Sequence, residues 1–255
     1  MWVKRRLIPF NPCDGFQVTN KAQDETRTRE PFSASDLRTI FNRDHLPVTL
    51  PHKFWAPLIG LYSGARVNEI AQLQVDDIEE VVGIWGMHIR RQVKNTHSRR
   101  FVPLHPELIR LGLLAYVKDV QTAGFAHVFP GLSWGDNGPG DSVGDWFNRT
   151  YLRKTCGITN PAKVFHSFRH TFATAAERAG IPDGRIAQLT GHSTGSTVLR
   201  QHYIHVAELP RRLDDISKVV FPEVELSPRK PGFFDPYLRR QRALENRERR
   251  KTEGR

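Results

Sequence analysis

The sequence predicts a mainly helical domain with one small antiparallel sheet, an α+β chain, and three observations carry this. Apolar residues recur at helical spacing through most of residues 31–220, as in Leu108, Ile109, Leu113, Tyr116, Val117 and Val120. One short stretch, Gly83 to Arg90, switches to period two, with Trp85, Met87 and Ile89 alternating with Gly86 and His88. Of 255 residues, 38% are hydrophobic and 10% aromatic, enough to bury a core, which excludes wholesale disorder.

Residues 1–30 read as a lead-in, broken by Pro9, Pro12 and Gly15 and nearly all polar from Asn20 to Glu30. Ser33, with Asp36 three positions on, starts a helix that turns Leu37, Ile40 and Phe41 inward. A second helix, His52 to Tyr62, ends at Ser63-Gly64, where glycine permits a left-handed stop. A third runs from Arg66 to Leu73. The strand at 83–90 leads through a polar turn, Arg91 to Ser98, to a returning strand at Phe101 to Leu104. One long helix is expected from Pro106 to Thr122, then a Gly-rich loop from Pro130 to Gly140. Further helices follow at Asp141–Lys154, His166–Ala179, Pro182–Thr190, Ser196–Ile204 and Leu209–Val219. There is no internal repeat.

Lys and Arg total 38 against 27 Asp and Glu, a net charge of +11. From Pro228 to Arg255 there are ten basic and four acidic residues, so this end carries +6 of the total and the rest +5. The basic tail, 221–255, reads as a solvated, disordered or weakly helical extension, a form compatible with touching phosphates. No apolar run approaches the ~20 residues of a membrane span, and no apolar segment follows Lys4-Arg5-Arg6 as a secretory leader would require. Cys13 and Cys156 have no framework spacing. The composition describes a cytoplasmic basic protein whose partner is a polyanion and not a membrane.

Four places can carry chemistry. In the helix from His166, the residues Phe168, Phe172, Ala175, Ala176 and Ala179 share the apolar face, while His166, Arg169 and His170 fall on another. That set is a compact cationic donor group or a solvated face; zinc is a weaker reading, since no Glu lies between the histidines and no third ligand is evident. Arg66 and Glu69, one turn apart, form either a surface ion pair or a guanidinium held for a phosphate. Lys94 sits in the turn between strands, where a lysine is ordinarily solvated. His192, between Gly191 and Ser193, precedes Tyr203, whose phenol, with an ordinary pKa of ~10, needs cations and a base around it to act as a nucleophile.

Together these pieces resemble the catalytic domain of the tyrosine recombinases, the phage-integrase family, over Phe32 to Val219. Ser63-Gly-Ala-Arg66-Val-Asn-Glu69 resembles the first arginine block. Val93-Lys94 through Phe101-Val-Pro-Leu104 resembles the lysine turn and returning strand. His166-Ser-Phe-Arg169-His170 resembles the His-x-x-Arg block, Leu189-Thr-Gly-His192-Ser the third histidine block, and Tyr203-Ile-His205 the nucleophile block. Each motif is short; six elements in order make the resemblance specific.

The resemblance implies the recombinase catalytic fold at 31–220 and a site-specific recombinase or integrase of bacterial or phage origin. Tyr203 would attack a scissile phosphate of double-stranded DNA and form a 3′-phosphotyrosyl link. Arg66, Arg169 and His192 would hold the phosphate oxygens, His166 would manage the tyrosine proton, Lys94 would protonate the leaving 5′ oxygen, and Glu69 would orient Arg66 or a histidine. It implies no metal and no cofactor, and a homo-oligomer of four protomers on DNA. The family usually places a core-binding domain before the catalytic one; residues 1–30 are expected to be its remnant, with Asn11 to Phe16 resembling its end. Leu209–Val219 is expected to dock on a neighbouring protomer and the tail to touch DNA. Three other functions compete: a catalytically weak or truncated DNA-binding relative, strand relaxation like that of type IB topoisomerases, and a metallohydrolase site built on His166, His170, His192, His202 and His205.

Overall fold

The computed structural model describes residues 29–90, 99–135, 138–191 and 206–253. Helix α1 (Ala34–Ile40) starts as its sequence requires: Ser33 Oγ accepts from the Asp36 backbone N–H, and the Asp36 carboxylate accepts from the Ser33 N–H at 2.8 Å. Helix α2 (Pro51–Ser63) is buried almost throughout and stops at Gly64, whose φ of 64° is the left-handed conformation that glycine adopts without strain. Helix α3 (Val67–Ala71) is shorter than its periodicity predicts, because Arg66 is its N-cap and Gln72 already ends it.

The sheet has three strands, one more than the period-two signal reveals. Strands β1 (Ile78–Val81), β2 (Ile84–Ile89) and β3 (Arg100–Pro103) pair antiparallel in that order, with Ile78 opposite Met87 and Met87 opposite Val102. β1 carries two consecutive glutamates, so it shows no clean alternation. Its hairpin turns through Val82 and Gly83, both at positive φ (47° and 81°), the geometry that fits sheet twist. Valine is a poor residue for that conformation, which is why the turn carries no sequence signal. Ile78, Met87, Ile89 and Val102 face the main core, whereas Ile84 and Phe101 face the other way against Leu209 of α9 (Leu209–Ser217).

The long helix expected over Pro106–Thr122 is two, α4 (Pro106–Arg110) and α5 (Leu113–Thr122), with Gly112 between them at φ 97°. A Cβ there would lie 2.5 Å from the Arg229 carbonyl, so the break admits the returning C-terminal chain. The expected helix at 141–154 is continuous but widens: α6 (Gly140–Asp145) runs into a π-helical stretch, Trp146–Thr155, closed by a Cys156 N–H to Tyr151 carbonyl bond. Helices α7 (Ser167–Arg178) and α8 (Asp183–Thr190) follow their predicted spans closely. The helix expected at Ser196–Ile204 lies outside the described residues.

Phe165 and Phe168 pack against Gly60 of α2, whose missing side chain leaves the ring of Phe165 its place, and this α2–α7 contact is the centre of the core. The C-terminal segment is not a solvated extension at its start. The Arg229 N–H bonds the Leu111 carbonyl at 2.9 Å, and Phe234 packs on Phe54 and Tyr116. Helix α10 (Asp235–Glu253) then continues outward, with every residue from Ala243 to Thr252 exposed. Among the described residues no helix is long and apolar enough to cross a membrane.

A candidate phosphate-binding arginine cluster

The end of α2, the start of α3, the N-terminal half of α7, the C-terminus of α8 and the start of β3 converge on one carboxylate. Glu69 is buried, 5% exposed, and accepts four hydrogen bonds: from Arg66 Nη1 at 2.9 Å, from the Arg66 backbone N–H at 2.9 Å, and from both terminal nitrogens of Arg100 at 2.8 and 3.2 Å. Burial alone would raise its pKa. Arg100 first and then Arg66 outweigh that and hold the carboxyl below its ordinary value, so Glu69 is an anion fixing two cations.

Its two partners differ in use. The Arg100 side chain is 6% exposed and donates its Nε–H to the Leu189 carbonyl at 2.8 Å. The Arg66 side chain stays 32% exposed, so its fork is held by Glu69 yet open to a ligand. The surface ion pair left open by the sequence is therefore a half-buried clamp.

The sequence places Arg169 on the polar face of its helix, and the structure corrects this: Arg169 is 1% exposed, among the largest buried side chains. Helical spacing gives a residue's face, but it does not show what packs there. Here the carbonyls of Gly64, at 2.8 Å, and Thr190, from two helix C-termini, both accept from Nη1. These are orphan acceptors at helix ends, suited to a cation. Burial, then Arg66 and Arg100, push the Arg169 pKa down to about 9, with Glu69 opposing. Two neighbouring guanidinium groups around a single carboxylate leave excess positive charge, the electrostatic profile of an anion site.

His166 is the exposed N-cap of α7, its ring 5.3 Å from that of His170 in an edge-to-face contact. Burial, and then Arg169 and Arg29, lower the His170 pKa, which favours its neutral form. Arg66, Glu69 and Arg169 are thus brought together, with His166 one helical turn from His170. Lys94, His192 and Tyr203 lie outside the described residues.

The chain on either side of those three is nevertheless anchored. Arg90, just after β2, bonds Asp77 at 2.6 Å, and Arg100 opens β3 paired with Glu69, so the described residues bordering 91–98 are tied down. Gly191, at φ 76°, stands where a Cβ would meet Arg100 Nη1 at 2.6 Å, and Leu209 packs on Phe101. The described residues that border 192–205 thus pack on two adjacent residues of β3, Arg100 and Phe101.

Arg100 is the residue that sequence reasoning missed. It stands in a run of polar turn residues, and the only signal was its place directly before the returning strand. Among the described residues no group of three or more His, Cys, Asp or Glu side chains is placed to hold a metal ion.

Known proteins resemble this chain in sequence and in fold. Residues 32–209 match the phage integrase family. The putative integrase/recombinase y4rA of Sinorhizobium fredii is 31% identical over 136 residues, which are 51% of this chain and 30% of that protein. The chain thus matches less than a third of that relative's length. The fold is shared with the integrase of mycobacterium phage Brujita, at 19% identity and a TM-score of 0.54 over 92% of this chain and 71% of that one. It is also shared with a lambda integrase (75–356) dimer bound to a COC′ core site, at 19% identity and a TM-score of 0.51 over 76% and 67%.

Proposed function

The chain belongs to the phage integrase family, and from that premise we propose that it is a site-specific recombinase, breaking and rejoining double-stranded DNA through a 3′-phosphotyrosyl intermediate. The observation that carries the reading is the Glu69-centred cluster, in which one guanidinium stays open at Arg66 and a second, Arg169, is locked by helix-end carbonyls.

In the proposed reaction the Tyr203 oxygen attacks the scissile phosphorus while the P–O5′ bond breaks. The phenol proton passes to His166, whose imidazole class titrates near neutrality. The leaving 5′ oxygen takes a proton from Lys94. Negative charge grows on the non-bridging oxygens as the tyrosine attacks, and Arg66, Arg169 and His192 stabilise it; because the arginines are fixed beforehand, little reorganisation is needed at that moment. Glu69 keeps the Arg66 fork aimed. Rejoining is the reverse: a 5′ hydroxyl attacks the phosphotyrosyl bond, Lys94 takes back its proton, and His166 returns the other to Tyr203. The bond energy is conserved, so no nucleotide is consumed.

The DNA partner is supported by the net charge of +11 and by the lambda integrase dimer bound to its core site. Four protomers around a junction would bring two cleaved duplexes together. The test is Arg66→Met, which shortens little of the aliphatic stem but removes the fork. Single-turnover cleavage of a nicked duplex should fall by ~10²-fold or more, with duplex affinity changed far less. Equal losses in affinity and cleavage would assign Arg66 to ground-state binding and sink this role.

A further inference from the structure

Helix α10 has two sharply different sides. At about 100° per residue, Phe234, Tyr237, Leu238, Gln241 and Arg242 share one side, and that side is docked. The Tyr237 hydroxyl donates to the Pro130 carbonyl at 2.6 Å, Leu238 is buried, and Arg242 donates to the Ala123 carbonyl with its guanidinium 4.5 Å above the Phe125 ring. The acidic residues keep to this side or its flanks, as with Glu245, which pairs with Arg242 at 3.1 Å. Arg249 falls among them.

Opposite lies an arc of about 120° that holds Arg239, Arg240, Arg247, Arg250 and Lys251, with no Asp or Glu in it. All five are exposed. A helix made basic only for solubility would interleave the signs and gain i,i+4 pairs around its surface. Here the carboxylates are segregated to the docked side and its flanks, and the five cations form one stripe about 18 Å long.

The docked side of α10 brings the helix beside α3, the element whose first turn belongs to the arginine cluster. Glu245 of α10 and Ala71, the last residue of α3, line one cleft together with Gly131 and Trp134. Arg66 caps the other end of that short helix.

We propose that this stripe is a track for the phosphate backbone of double-stranded DNA flanking the cleavage site, a sequence-independent clamp within the chain itself. This rests on the DNA-joining reading above. One strand of B-DNA presents a charge every ~3.4 Å of axis, so a stripe of about 18 Å spans roughly five phosphates of a strand and can engage one with each cation. A second copy is a poor occupant, since its like-charged stripe would be repelled.

The experiment compares the wild-type chain with a quintuple variant (R239Q, R240Q, R247Q, R250Q and K251Q), in which glutamine preserves helix propensity. Duplex affinity is measured from 50 to 200 mM salt, with Arg249→Gln as the control from the other side and helicity checked by circular dichroism. The slope of log K against log salt should become shallower by about 4 in the quintuple variant and by less than 1 in Arg249→Gln. Single-turnover cleavage at saturating DNA should change less than threefold. An unchanged slope in a folded variant overturns the stripe while leaving DNA joining intact. Altered self-association with an unchanged slope overturns it in favour of a contact between copies. Failure of the wild-type chain to bind duplex at any salt removes the DNA reading and the stripe with it.

Discussion

Replacing Arg100 with methionine isolates the interaction on which the arginine cluster depends. Methionine retains the length and apolar stem but leaves the Glu69 carboxylate, 5% exposed, with Arg66 alone. Breaking a buried ion pair by removing one partner costs ~3–5 kcal/mol, because the other charge is left uncompensated. Glu69 keeps the Arg66 fork and the Arg66 backbone N–H, so the lower end applies, about 3 kcal/mol. Urea unfolding at pH 7 measures it directly. Adding Glu69→Gln removes the stranded charge, so the double variant should be more stable than the sum of the single losses predicts, with ~1–3 kcal/mol of coupling.

The pH dependence of the same variant has a definite sign. In the wild-type chain the Glu69 pKa is held below its ordinary value, so its contribution is present above that value and is lost as pH falls through the lower folded one. Without Arg100, burial is opposed by Arg66 alone, and the folded pKa should rise above the ordinary range. The variant then gains relative stability as pH falls through that raised value. The gap between wild type and variant should therefore narrow from pH 7 towards pH 4. A constant gap, or additive single losses, would refute the claim that Glu69 is a buried anion held chiefly by Arg100.

Two further expectations follow from other parts of the core. His105 donates from Nε2 to the Val219 carbonyl at 2.9 Å and accepts the Glu107 N–H at Nδ1, so it is neutral, and burial holds its pKa down to about 4. Since the unfolded ring protonates near 6.5, stability should fall by on the order of 3 kcal/mol as pH drops from 6.5 to 4, and His105→Gln should flatten that part of a urea-midpoint profile. Gly86→Ala would set a methyl inside contact distance of the buried Phe101 ring, the residue on which Leu209 rests. It should destabilise by ~1–3 kcal/mol, read as a lowered urea midpoint at unchanged slope.

Local signals in the sequence translated well into structure. Ser33 with Asp36 and the Ser63-Gly64 stop were readable because a cap or a left-handed residue is a property of a few neighbouring residues. The Arg66–Glu69 pair was readable as a pair for the same reason. What escaped depends on distant chain. Arg169 looked solvent-facing because its acceptors, Gly64 and Thr190, are 105 and 21 residues away. Arg100 looked like turn filler because Glu69 is 31 residues away. The break at Gly112 depends on the Arg229 carbonyl, 117 residues away, which fills the space a side chain there would need. Likewise the tail's charge conceals its anchors: Phe234 and Leu238 are apolar residues among many cations, and both are buried where α10 starts, beside Tyr237.

The most direct measurement of the central claim is covalent capture on a nicked duplex with a bridging phosphorothiolate, whose sulfur leaving group cannot be religated efficiently. It is run in chelator on the wild-type chain and on Tyr203→Phe. A DNA adduct that survives denaturation is expected in the wild-type chain alone, with peptide mapping placing the linkage on Tyr203. An adduct of equal yield in Tyr203→Phe, or cleavage that leaves no protein on the DNA and stops in chelator, would contradict it.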